Sequence, residues 1–139
     1  MIYKRFGDKL VIRLNRGDEL VESIRDIMQK ENIKAASITG LGAVGMLSMG
    51  IYNEEKKTYD NLEFNEMLEV TNLTGNISQM DGEIYHHLHI TVGDHEGMAH
   101  AGHLNKAVIS MTAEIFVDII DGYIGRVYDD ETGLNLIEF

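Results

Sequence analysis

Alternate residues are apolar from Ala107 to Ile119, with Ala107, Ile109, Met111, Ala113, Ile115, Val117 and Ile119 in step and Ser110, Thr112, Glu114 and Asp118 between them. A period of two places successive side chains on opposite faces of a pleated strand, so Ala107–Ile120 is expected to form one long strand with a core face and a partly polar face. Strands also fit Ile2–Phe6 and Leu10–Leu14, which flank the Gly7-Asp8 turn signal. Further strands are expected at Lys34–Leu41, Val44–Tyr52 and Glu63–Ser78, all rich in β-branched and apolar residues. One segment follows another period. Leu20, Val21, Ile24, Ile27 and Met28 recur at helical spacing, and Asp18 stands where a cap belongs, which predicts a helix over residues 18 to 31. A tail from Ile124 to Phe139 turns at Gly133. The sum is a mostly antiparallel α+β domain of about seven to nine strands and one main helix, spanning residues 1–139 as a single unit.

Composition limits the chemistry. The chain has no cysteine, so a disulfide framework, a thiolate metal site and a cysteine nucleophile are excluded, and any metal must be held by His, Asp or Glu. Its net charge is −11, which sets up repulsion toward phosphate backbones and anionic membranes and argues against unaided DNA binding. Eight of the 12 Lys and Arg precede Ala35, but no run of basic residues exceeds two. No apolar run approaches the roughly 18 residues that cross a bilayer, and the short, charged N-terminal segment Met1–Phe6 has no leader pattern. A cytoplasmic location is the expectation.

All 6 histidines (His86, His87, His89, His95, His100 and His103) lie between His86 and His103, and histidine is the commonest protein ligand for zinc-like metals. In Ile84–Val92, alternation sets Ile84, Leu88, Ile90 and Val92 on one face and Tyr85, His87, His89 and Thr91 on the other. His87 and His89 then share a face about 6 to 7 Å apart along the strand, a separation from which two imidazoles converge on one ion. His103 is the third candidate, because a turn over Gly93–Gly97 returns the chain beside this strand and Gly102 permits close backbone approach. His86 falls on the apolar face and reads as a hydrogen-bonded core residue, and His95 as a solvated loop residue. A hydrogen-bonded polar cluster or a pH-sensitive subunit contact is the competing reading of the trio.

Two patterns are decoys. Gly40-Leu41-Gly42-Ala43-Val44-Gly45 fits a dinucleotide fingerprint, but Met46–Tyr52 offers no helix to receive a pyrophosphate. His95-Glu96-Gly97-Met98-Ala99-His100 resembles a metalloprotease helix, yet its histidines are five apart and a glycine interrupts them.

Taken together, Ile38–Val44, Leu68–Ser78, His87-Leu88-His89, Ala101–Leu104 and Thr112-Ala113-Glu114 resemble the plant-and-prokaryote-conserved (PPC) domain, in order and spacing, across nearly the whole chain. That resemblance implies a small α+β fold, a homotrimer and, in stand-alone prokaryotic members, a metal near the paired histidines. The family carries a DNA-binding and regulatory label that comes mainly from plant relatives, in which an Arg-Gly-Arg-Pro hook precedes the domain and enters the minor groove. This sequence has no such hook and no proline at all, so DNA contact is expected to be weak or to run through a partner. The His-x-His strand followed by Gly-His-Leu is also similar to the metal site of acetolactate decarboxylases, a larger relative in fold. Carried over, that similarity implies His87, His89 and His103 as ligands of zinc or a similar divalent metal, with Ala101 standing for the first glycine of the enzyme's motif.

Two functional classes follow. One is a trimeric metal-binding or regulatory module that receives a small ligand at the metal. The other is a zinc-dependent lyase or hydrolase acting on a small keto acid or other carbonyl metabolite, for which Glu69 and Glu114 are the candidate acid or base residues because each lies in a strand that could flank the site. The sequence does not decide whether a reaction is catalysed.

Overall fold

The computed structural model describes residues 1–139. Strands β1 (Ile2–Phe6) and β2 (Lys9–Asn15) form a hairpin that turns at Gly7, whose φ of 62° lies in the left-handed region where glycine avoids a Cβ clash. Leu10, Ile12 and Leu14 of β2 all point into the core. Helix α1 (Leu20–Lys30) buries Leu20, Val21, Ile24, Ile27 and Met28 along one stripe, packed against strands of the sheet. Its cap is Glu19, not Asp18 as the spacing suggested. The Glu19 carboxylate accepts the Glu22 N–H at 2.6 Å and the Ala107 N–H at 2.9 Å, so it closes the first turn and ties the helix to the sheet. Asp18 instead accepts the Asn15 N–H and pairs with the N-terminal amine of Met1.

The remaining strands are β3 (Ala36–Asn53), β4 (Thr58–Phe64), β5 (Leu68–Met80), β6 (Glu83–Gly93), β7 (Ala99–Ile119), β8 (Gly125–Asp129) and β9 (Leu134–Glu138). All nine strands join one sheet, and every pairing is antiparallel except a single parallel bridge of Gln79 to Gly125. The expected fold class is the one observed. The breaks between strands differ from expectation at two places. Lys34–Leu41 and Val44–Tyr52 are one continuous strand, because Gly40 and Gly42 shift register within the sheet instead of ending it. Glu63–Ser78 is two strands, since β4 folds back on β3 and β5 begins only at Leu68.

The long strand β7 supplies Leu104, Ala107, Ile109, Ala113, Ile115 and Val117 to the core. It starts eight residues earlier than its alternation alone indicated, at Ala99. Ala107, Ile109, Ala113, Ile115 and Val117 are buried as expected, but Met111 is 55% exposed. The cause is a bulge: between Gly42 and Val44 on β3 the pairing steps from Ala113 to Ile109, so the extra residues of β7 rotate Met111 outward. Burying each large side chain such as Ile109 or Ile115 contributes about 1.5–3 kcal/mol, and the buried apolar residues form one contiguous cluster. β3 pairs with both β5 and β7, while β6 bridges β5 and β7, so these four strands close on themselves. The closure brings β6 against the start of β7. The dinucleotide-like glycine run lies inside β3, and His95–His100 spans a turn and the first residues of β7, so neither decoy forms a helix. No helix is long and apolar enough to cross a membrane.

Candidate metal centre and its cleft

His87 and His89 sit on one face of β6, and Leu88, Ile90 and Val92 between and beyond them are buried on the other. The turn from Asp94 to Met98 reverses the chain. There the Asp94 carboxylate accepts the N–H groups of Glu96 and Met98, and its second oxygen lies 3.0 Å from Nε2 of His100. The resulting register places His103 directly opposite His89. His103 also pairs with Gly50 of β3, so it stands where three strands meet. Two glycines make that approach possible. A Cβ at Gly75 would lie 2.0 Å from the His87 carbonyl oxygen, and one at Gly102 would lie 2.8 Å from the Gly50 carbonyl oxygen.

The three rings pack with centroids 5.2 to 5.5 Å apart, and one nitrogen from each of His87, His89 and His103 lies within 4.8 Å of the others. A tetrahedral ion with metal–nitrogen bonds of about 2.0–2.1 Å sets its ligand nitrogens about 3.3 Å apart. The nitrogens would have to close to that spacing around an ion, and the all-imidazole donor set suits zinc or a similar divalent ion. Nδ1 of His103 is buried with no hydrogen-bond partner, an unfavourable arrangement that calls for a partner from outside the chain. Electrostatics favour the neutral form of His103 and His87. Burial, followed by the neighbouring His87, His89 and His86, brings His103 down to about 4. Burial, then Arg126 and His89, lowers His87 as well. Neutral rings present the lone pairs that coordination requires.

Of the other histidines, His86 and His95 lie on the core face and in the loop as expected, but the hydrogen bonding expected of His86 is missing at one ring nitrogen. His86 lies half-buried on the core face, its basicity lowered by burial and then by Arg25, and its Nδ1 lacks a hydrogen-bond partner. His95 is exposed. His100 is held by Asp94 and packs on Phe64 at a ring separation of 4.9 Å. The two glutamates do not reach the trio. Glu69 pairs with Gly93 and Ala43 and lines a separate groove with Leu41 and Met111, while Glu114 pairs with Arg13 and Leu41.

Beside His87 and His103 opens a cleft of about 440 Å³, walled by Tyr59 of β4, Tyr85 of β6, and Arg126, Leu134, Leu136 and Ile137 of the β8–β9 hairpin. Tyr59 packs on His103 at 4.8 Å, and burial raises its hydroxyl above the usual 10.0, so it stays a neutral donor. The Arg126 guanidinium lies 4.7 Å over the Tyr85 ring. None of these cleft residues stood out in the sequence. The alternation that set Tyr85 on the face of His87 and His89 was the one available signal. A larger groove of about 760 Å³ between the β1–β2 hairpin and residues 119–123 contains no histidine, and its Arg5 and Glu31 already pair with each other.

Solved structures similar to this fold belong to small proteins of similar length. A "putative DNA binding protein" from Bacteroides thetaiotaomicron is 38% identical, with a TM-score of 0.96 over 99% of this chain and 96% of that one. A metal-containing protein from Archaeoglobus fulgidus is 34% identical, with a TM-score of 0.88 over 98% and 97%. A plant- and prokaryote-conserved (PPC) protein from Pyrococcus horikoshii is 32% identical, with a TM-score of 0.88 over 99% and 95%. Among curated proteins, a Synechococcus bifunctional protein GlmU is 33% identical over 124 residues, which cover 88% of this chain and 18% of that protein. The chain thus spans about a fifth of the length of the curated relatives it matches. Residues 1–121 match the Plants and Prokaryotes Conserved (PCC) domain, and the chain belongs to that family.

Proposed function

We propose that this PCC-domain protein is a metal-binding module in which His87, His89 and His103 hold zinc or a similar divalent ion and leave a coordination position open to a small ligand in the adjoining cleft. The observation that carries this reading is the convergence of three imidazoles within 4.8 Å beside that cleft. The Archaeoglobus relative, a metal-containing protein, supports it. Three histidines with an open fourth position are also the ligand set of catalytic zinc. Turnover of a small keto acid or other carbonyl metabolite is the second reading, favoured by the hydroxyls of Tyr59 and Tyr85 in the cleft wall. Binding is preferred over turnover because no carboxylate lines the cleft to serve as a general base.

Assembly as a homotrimer belongs to the same proposal. Leu41, Met111 and Phe116 of β3 and β7 are each more than half exposed and offer apolar surface for a subunit contact. Any action on DNA runs through a partner, because a net charge of −11 opposes phosphate contact. The test is elemental analysis of protein purified without chelator, wild type against a His87→Ala, His89→Ala double variant. About one zinc-like ion per chain, lost in the variant, is expected for a three-histidine site. A wild type that holds no ion even after zinc is added back would overturn the reading.

A further inference from the structure

Arg126 is the only charged residue lining the cleft of the three histidines. The chain has 23 Asp and Glu, yet no acid lines that cleft and no salt bridge includes Arg126. Its guanidinium is nonetheless fixed. Nε donates to Ser78 Oγ at 2.7 Å, Nη1 to the Asn135 carbonyl at 2.6 Å and Nη2 to Asn76 Oδ1 at 2.9 Å. Asn76 is the register partner of His87, so the same strand pair holds the guanidinium and a metal-site histidine. A guanidinium has five N–H donors, and these three bonds leave one on each terminal nitrogen. A partly buried cation held rigidly by neutral acceptors, with two donors to spare and no counter-charge, is a receptor for an anion.

The form of the anion follows from the walls. The cleft presents one positive charge, no lysine and no helix N-terminus, whereas phosphate sites gather several donors and more charge. Leu134, Leu136 and Ile137 give one side an apolar surface that suits a short alkyl chain. We propose that Arg126 anchors the carboxylate of a small 2-oxo or 2-hydroxy monocarboxylic acid, whose second oxygen faces His87, His89 and His103. This rests on the metal reading above and names its ligand. The anchor and the apolar wall come from the β8–β9 hairpin, residues 125–138, which lies beyond the stretch 1–121 that matches the family domain. Ligand choice therefore resides in the C-terminal hairpin.

The test titrates zinc-loaded wild type, Arg126→Gln and Arg126→Lys by calorimetry with pyruvate, its neutral amide and inorganic phosphate, with bound zinc measured on the same samples. Pyruvate is expected to bind wild type and to bind Arg126→Gln at least about tenfold more weakly. The amide is expected to bind both alike, and zinc content to stay the same. Arg126→Lys, which keeps the charge and loses the fork, is expected to fall between. Equal pyruvate affinity in wild type and Arg126→Gln, no pyruvate binding to zinc-loaded wild type, or phosphate bound in preference to pyruvate would each overturn the anchor. So would loss of zinc and amide binding together in both variants, because Arg126 would then be only a brace for the hairpin. Should wild type hold no zinc while pyruvate binding still depends on Arg126, the metal reading fails and the anchor stands.

Discussion

At Gly75 a single missing carbon decides whether two strands can meet. Its absent Cβ leaves room for the backbone of His87, whose carbonyl oxygen would otherwise sit 2.0 Å from that atom. Gly75→Ala must push β6 away from β5, an overpacking that costs about 1–3 kcal/mol. It should also loosen the histidine trio, so the variant is expected to melt lower and to bind zinc more weakly, as thermal unfolding with and without zinc would show. A small drop in stability with unchanged zinc affinity would mean that the strands absorb the carbon without moving His87. His87, His89 and His103 were legible because period-two alternation fixes which side chains share a face and because a turn rich in glycine announces a return strand. Arg126 was not. A lone arginine in a short tail strand has no periodic signature, and its meaning depends on Ser78 and Asn76, some fifty residues earlier, which only the folded sheet brings beside it.

At the level of elements, α1 and the β6–β7 turn show how local chemistry fixes long-range register. The spacing identified the helix, while its cap moved by one residue to Glu19, whose longer side chain reaches both Glu22 and the Ala107 backbone. Glu19→Ala is therefore expected to cost about 1–2 kcal/mol, at the upper end for a cap, because it also frees the Ala107 N–H; chemical denaturation measures it. In the turn, the hydrogen bond with His100, then the N–H groups of Met98 and Glu96, hold the Asp94 carboxyl below its usual 3.8. A carboxyl depressed in the folded state adds stability that is present above its unfolded pKa and is lost as pH falls through the folded value. Asp94→Asn should thus be less stable than wild type near neutrality, and the gap should narrow in acid below about 3.8. Urea unfolding at a neutral and an acidic pH reads this directly, and a gap that persists unchanged in acid would rule it out. The misplaced strand ends share a cause. Bulges at Gly40–Val44 leave hydrophobic alternation nearly intact, so a sequence pattern cannot reveal that β3 runs on or that Met111 turns outward.

For the whole molecule, charge and topology point the same way. A chain of net charge −11 is expected to give no tight shift of naked duplex DNA at physiological salt, and a tight shift that weakens steeply as salt rises would contradict that. The α+β class and the closure of β3, β5, β6 and β7 around a continuous core explain why a domain of this size can hold three imidazoles in one place, those of His87 and His103 half-buried and that of His89 exposed. An ion bound to the folded state alone stabilises it in proportion to its affinity, by about 2.7 kcal/mol at a hundredfold excess over Kd. The most direct measurement is diffraction from crystals grown with zinc, with data collected on both sides of the zinc absorption edge. The proposed site predicts an anomalous peak within bonding distance of His87, His89 and His103 that disappears in the His87→Ala, His89→Ala variant. No peak among these histidines, or one that survives the double substitution, would contradict it.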